Sequence, residues 1–220
     1  MTKHVYCLSG LGSDERIFSR LQWNRDWDIH YLHWLQPGQN ETLSAYARRM
    51  SDAIKESNAT LIGVSFGGIL SIEIAKLIPV EKVILISSIQ TYHELPRWMS
   101  IFGKLKLDAL IPGQHLRHMR PMKIFSPLEN YFLGAVTEEE RQLANEYRKK
   151  VDPYYLKWSI HQILHWKNEW VPPVIYHLHG DNDKIFPIQN VTPTHSISSG
   201  QHFMIYHYPE KISAILETII

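Results

Sequence analysis

Cysteine is almost missing from this chain of 220 residues. Cys7 alone excludes an internal disulfide and a multi-cysteine metal cluster, and it fits a reducing compartment, which makes the cytoplasm the expected location. Neither sign of charge is in excess: 23 Lys and Arg face 22 Asp and Glu, for a formal net charge of +1. A chain so balanced offers no overall field to nucleic acid and carries no long like-charge tail. Long apolar runs are absent as well. No window approaches the roughly 18 apolar residues of a membrane helix. The N-terminal stretch, broken by Gly10 and Gly12 and then by charges, has no export-signal core or small-residue cleavage site. The expectation is a soluble, unexported protein without nucleic-acid or membrane partners. Neither an internal repeat nor a low-complexity segment is visible. The sequence leaves the oligomeric state open.

What is present suits one globular domain. A hydrophobic content of 44% at this length supports a sizeable core without staples. Short apolar runs at residues 4–8, 28–33, 59–64, 82–87 and 174–179 read as strands, and residues 196–198 as a sixth. Helix patterns alternate with them: 41–57, with Leu43, Ala47, Met50 and Ile54 on one face, then 69–78 and finally 203–219. Near-continuous apolar strands alternating with helices predict an α/β fold, a mostly parallel sheet of about six strands covered on both faces. The rhythm is interrupted at about 91–173. There the strand pattern disappears, aromatic and basic residues accumulate, and the segment reads as a helical insertion within a single domain spanning 1–220. Within it, Thr137-Glu138-Glu139-Glu140 fits a capping box for a helix running to about Val151, and Asp152-Pro153 starts another that carries Trp158, His161 and His165.

The most informative stretch is Gly63-Val64-Ser65-Phe66-Gly67, at the junction of a strand pattern and a helix pattern. A serine in such a turn is held in a strained conformation with its hydroxyl exposed at the tip, while the flanking glycines admit close packing. Because a serine hydroxyl is a weak nucleophile at neutral pH, it needs a base and a group that orients the base. Two later loops supply candidates: His179-Gly180-Asp181-Asn182-Asp183-Lys184-Ile185-Phe186-Pro187 after the fifth strand, and Ser199-Gly200-Gln201-His202-Phe203 after the sixth. The order is serine, aspartate, histidine.

On these residues the chain resembles the α/β-hydrolase superfamily, whose triad follows that order at the carboxyl ends of parallel strands. Ser9-Gly10-Leu11-Gly12 is similar to the family's oxyanion loop, Gly63 to Gly67 to its elbow, Gly180-x-x-Asp183 with Pro187 to its acid loop, and Gly200-x-His202-Phe203 to its histidine loop. The resemblance covers about 4–90 and 174–220. The 91–173 insertion lies where the family carries its variable cap. Two departures stand out. Ser9 occupies a position where the family often has histidine, so the loop should be held by different hydrogen bonds. The first strand corresponds to the family's third, so the usual antiparallel pair at the sheet edge is not expected.

The resemblance implies Ser65 as nucleophile, His202 as general base and acid, Asp183 as the carboxylate behind it, and the backbone N–H groups of Leu11 and Phe66 as oxyanion donors. It implies a small-molecule ester or thioester as substrate, and neither metal nor organic cofactor. A carbon–carbon hydrolase or lyase on the same fold, and a receptor that keeps the triad, are the alternatives.

Each position has rivals in the sequence. His195 precedes the last strand and so falls at the wrong end of the sheet. Asp181 suits its own turn better than the acid role, and Glu94, just after the fourth strand, is a remote third choice for the acid. His161 and His165 share a helix face without an identifiable third metal ligand, and His177 and His179 alternate along a strand; both pairs read as structural. Cys7 reads as a small buried hydrophobe. The basic residues Arg97, Lys104, Lys106, Arg117, Arg120 and Lys123 form either a solvated face or a receiver for an anionic substrate group. Trp98, Phe102, Phe125, Tyr131, Phe132, Trp158 and Trp166 are candidates for an apolar pocket.

Overall fold

The structure, a computed structural model, describes residues 2–110 and 126–220. Six strands, β1 (Lys3–Leu8), β2 (Trp27–Leu32), β3 (Thr60–Val64), β4 (Lys82–Ile86), β5 (Ile175–Gly180) and β6 (His195–Ile197), form one sheet in the order β2-β1-β3-β4-β5-β6. All five pairings are parallel, with no antiparallel pair among the described residues. Successive strand side chains point to opposite faces, and each face is covered. Tyr6, Leu8, Leu61, Val83 and Leu85 meet the helices α1 (Leu43–Ser51) and α2 (Phe66–Ala75). Val5, Cys7, Ile62, Ile84 and Ile86 meet α7 (Met204–His207) and α8 (Pro209–Ile219). Leu61, Ile62, Ile84 and Leu85 are wholly buried, each stabilising the fold by about 1.5–3 kcal/mol relative to exposure.

Between β4 and β5 the chain forms α3 (Arg97–Lys104), α4 (Ser126–Leu133), α5 (Glu138–Lys150) and α6 (Pro153–His165). The start of α5 is the expected capping box, with Thr137 accepting from the Glu140 N–H and Glu140 returning to the Thr137 N–H. The Asp152 side chain caps α6 through the Tyr155 N–H, and Pro153 fills its first turn.

Several boundaries differ from the sequence reading. The 41–57 helix stops at Ser51 and closes in a tight turn, with the Ala53 and Ile54 N–H groups donating to the Met50 and Ser51 carbonyls, so that Ile54 still packs against the core while the polar Lys55-Glu56-Ser57-Asn58 leaves the helix. The last helix is two helices. Pro209 has no N–H to donate and disfavours helical geometry in the residue before it, so Tyr208 adopts φ −122° and ψ 52° and the chain bends there. The sixth strand begins one residue early, at His195. No helix among the described residues is long and apolar enough to cross a membrane.

Candidate active site

Ser65 sits between β3 and α2 with φ 52° and ψ −118°, a conformation that costs a non-glycine residue about 1–3 kcal/mol and persists only where the surroundings impose it. The surroundings are close. A Cβ on Gly63 would come within 2.4 Å of the Gly67 carbonyl oxygen, and one on Gly67 within 2.3 Å of the Leu8 carbonyl oxygen, so only glycine lets the turn press against the end of β1. The Ser65 N–H donates to the Ile86 carbonyl at 3.0 Å, and the Ser88 hydroxyl donates to the Ser65 carbonyl at 2.7 Å. Both anchors come from β4 and the residues after it.

The structure brings Ser65, His202 and Asp183 together across 137 residues of chain. His202 Nε2 lies 2.9 Å from Ser65 Oγ, and His202 Nδ1 lies 2.8 Å from Asp183 Oδ2. His202 and Asp183 are buried while Ser65 is partly exposed. Asp183 Oδ1 accepts the backbone N–H groups of Ile185 at 2.8 Å and Phe186 at 2.9 Å. Burial opposes ionisation of this carboxyl, but the attraction and hydrogen bond of His202 and the Phe186 N–H outweigh it and hold Asp183 below the ordinary carboxylate range. The acid and histidine loops themselves meet backbone to backbone. A Cβ on Gly180 would stand 2.2 Å from the Gly200 carbonyl oxygen, and Asn182 N–H donates to that same oxygen at 2.9 Å.

Gly10, the residue before Leu11, lies beside the elbow, where a Cβ would be 3.5 Å from Ser65 Cβ. Phe66 opens α2, so its N–H has no intrahelical acceptor, and no acceptor for the Leu11 N–H is found among the described residues. Ser9 holds its loop by donating to the Ser13 carbonyl at 2.8 Å. Trp34 adds a second tie that the sequence reading missed. It follows β2, at the carboxyl end of a parallel strand where sites concentrate, and that position is the one signal that pointed to it. Its indole stacks 5.4 Å from Phe66, and Nε1 donates to Ser9 Oγ at 3.0 Å and to the Ser13 carbonyl at 3.1 Å.

Behind Asp183 runs a buried line of polar groups that was also not foreseen. His179 Nε2 lies 2.7 Å from the Phe186 carbonyl, which can only accept, so Nε2 carries the proton and Nδ1 accepts. His177 Nε2, 3.1 Å away, must then donate to His179 Nδ1, leaving His177 Nδ1 to accept from the Gln90 amide at 3.3 Å. Both rings are neutral in this arrangement. Burial, and secondly the neighbouring His179, push His177 down to about 3, and burial likewise lowers His179 against the pull of Asp183.

The other candidates fall elsewhere. His195 opens β6, at the opposite end from the serine turn, and Asp181 is exposed. Glu94 accepts the Gln90 N–H at 2.6 Å; burial raises its carboxyl. Cys7 is buried and its thiol is pushed up by burial. His161 and His165 do have a third partner, contrary to the expectation: buried Asp108 lies 2.6 Å from His161 Nδ1 and 3.3 Å from His165 Nε2. No sequence pattern links Asp108 to a helix more than fifty residues away. Trp158 and Trp166 are buried, their indoles donating to the Glu41 carbonyl at 2.7 Å and to Glu73 at 2.8 Å. Trp98, Tyr131 and Phe132 are exposed. Phe125 lies outside the described residues, as do Arg117, Arg120 and Lys123; Arg97, Lys104 and Lys106 are solvated.

The parallel sheet, the strand-to-helix serine turn and the two glycine loops at the carboxyl ends of β5 and β6 define the α/β-hydrolase fold. Solved structures bear this out over the full length. MenH from S. aureus aligns with a TM-score of 0.75 at 17% identity, covering 100% of this chain and 93% of that one. The bromoperoxidase from Bacillus anthracis gives 0.73 at 14%, covering 100% and 92%. A thermophilic esterase from Thermogutta terrifontis gives 0.71 at 12%, covering 98% and 88%. No protein-family model matches the sequence, and neither does any curated protein.

Proposed function

We propose that this protein is a serine hydrolase that cleaves a carboxylic ester or thioester with an acyl group of modest size. The observation that carries the reading is the continuous line from Asp183 Oδ2 through His202 to Ser65 Oγ, at 2.8 and 2.9 Å, ending on a serine held at φ 52°. Asp183 is ionised and accepts the Nδ1 proton of His202, so Nε2 is free to take the Ser65 proton as Oγ attacks the substrate carbonyl. The Leu11 and Phe66 N–H groups receive the negative charge of the tetrahedral oxygen. His202 then returns the proton to the departing alcohol or thiol. Water, deprotonated by the same Nε2, attacks the acyl-enzyme, and the proton passes back to Ser65 as the acid leaves. Helices α3 to α6 form the cap over the substrate in this reading.

Replacing Ser65 by Ala is expected to lower ester hydrolysis by roughly 10⁴ to 10⁶, as in other triads, and to abolish labelling by a fluorophosphonate. Retention of most of the esterase activity by Ser65→Ala sinks the assignment. Labelling of the wild type with negligible turnover across esters of graded length identifies a receptor instead.

A further inference from the structure

We propose that His4, Asp28 and His30 bind a divalent transition-metal ion of the zinc class, at a site separate from the serine turn and independent of the hydrolase reading. Parallel pairing creates the arrangement. Register sets His4 beside Asp28 and Tyr6 beside His30, and since alternate residues share a face, all four side chains lie on one side of the β1–β2 pair.

Asp28 Oδ2 is 3.3 Å from His4 Nδ1 and 3.1 Å from His30 Nε2, and the three donor atoms lie within 4.8 Å of one another. Four ligands around zinc at its usual 2.0–2.1 Å stand about 3.3 Å apart, so the two nitrogen–oxygen separations are those of adjacent ligands. Both nitrogens are shielded from solvent, yet neither has a hydrogen-bond partner. They approach the carboxylate without hydrogen-bonding to it, which leaves their lone pairs open to an ion. Left so, a shielded polar atom is costly.

The second cluster of this composition behaves differently. His161 and His165 are both hydrogen-bonded to Asp108, the first at 2.6 Å, so that carboxylate is already satisfied as a clamp between α6 and the residues after α3. At the β1–β2 site the surroundings also favour an ion. Tyr6 stacks on the His30 ring at 4.5 Å and fixes its plane, while the Tyr6 hydroxyl donates to Glu56, which brings a second carboxylate to the neighbourhood. Asp28 is about half exposed, which leaves a path for entry and for water as a further ligand. The site lies at the sheet edge, near the start of β1, and the β1–β3 register puts it six residues, or about 20 Å at a rise of about 3.3 Å per residue, from Ser65 along the strand direction. Its role there would be to fasten β2, the outermost strand, to β1.

The test is titration of the chelator-treated protein with Co²⁺ and Zn²⁺. The expected result is one ion per chain, a tetrahedral Co²⁺ visible spectrum displaced by Zn²⁺, and a higher thermal midpoint with metal. His4→Gln, His30→Gln and Asp28→Asn should each weaken binding by more than about 10-fold, the least loss expected even for an outer partner, while Asp108→Asn leaves it intact. Circular dichroism confirms that each variant is folded. Absence of a bound ion in the wild type overturns the proposal, and so does binding that survives both histidine variants or disappears with Asp108→Asn.

Discussion

Trp34 and Ser9 are joined by a hydrogen bond of 3.0 Å that ties the residue after β2 to the loop after β1, and the same indole stacks on Phe66. One ring therefore touches both the loop after β1 and the residue that follows Ser65. Trp34→Phe keeps the stacking surface and removes the donor. The expected outcome is a stability loss of about 0.5–1.5 kcal/mol in urea unfolding, with fluorophosphonate labelling of Ser65 slowed by up to about 10²-fold, the scale of a 1 Å displacement. An unchanged labelling rate would reduce Trp34 to a packing residue.

Asp183→Asn separates orientation from structure. The asparagine Oδ1 can still accept from Ile185 and Phe186, so the loop should hold and the thermal midpoint should change little. Its Nδ2 faces His202 Nδ1 and donates to it, forcing the proton onto Nε2, where it can no longer accept from Ser65. Hydrolysis should fall by about 10⁴, the loss seen when a triad carries the wrong tautomer. A near-normal kcat would exclude Asp183 from the mechanism.

The contact between the acid and histidine loops leaves no room for a methyl group. Gly180→Ala must separate the two loops, because its Cβ would lie 2.2 Å from the Gly200 carbonyl oxygen. Such overpacking costs about 1–3 kcal/mol. Hydrolysis should drop by about 10²-fold as Asp183 and His202 move apart. Gly38→Ala, whose Cβ would meet nothing nearer than 3.6 Å, serves as the control and should be neutral in both assays.

Acid stability should report the neutral histidines. His177 is held at about 3 in the folded chain against an ordinary 6.5, so the unfolded chain binds a proton that the native state refuses. Its contribution is complete above about 6.5 and is lost as pH falls toward about 3, with a slope near 1.4 kcal/mol per pH unit. His179 is also lowered and adds to the slope in the same direction. Asp183, lowered from 3.8, begins to withdraw its share only below that value. Urea midpoints measured from about pH 7 to pH 4 should decline, and His177→Gln should flatten the decline by about one histidine's worth. An equal slope in the variant would show that His177 is charged in the native state.

The sequence disclosed whatever is encoded locally. Ser65, Asp183 and His202 each sit in a short glycine-marked turn after an apolar strand, and turn chemistry is written in neighbouring residues. The caps at Thr137 and Asp152 are legible for the same reason. Trp34, Gln90 and Asp108 act through partners far along the chain, and no spacing rule reaches them. The division of the aromatic residues was illegible too: Trp158 and Trp166 are buried by α1 and α2, which lie more than seventy residues upstream. The fold class was readable from period and order alone, whereas the tight turn after Ser51 keeps Ile54 on the apolar face that the helix pattern had claimed for it, and the bend at Tyr208 depended on a proline the pattern had absorbed.

The line of neutral imidazoles has a direction, and its starting point matters. Asn168 donates to the Gln90 carbonyl at 2.8 Å, and the Tyr92 N–H donates to the Asn168 carbonyl at 3.0 Å. The two strands of chain that leave and re-enter the sheet are thus knotted at Gln90, whose side chain begins the sequence of donors ending at Phe186 beside Asp183. Each proton in that sequence has one place it can be. The chain that leaves the sheet at Gln90 and the Phe186 carbonyl beside Asp183 are therefore joined through two buried imidazoles.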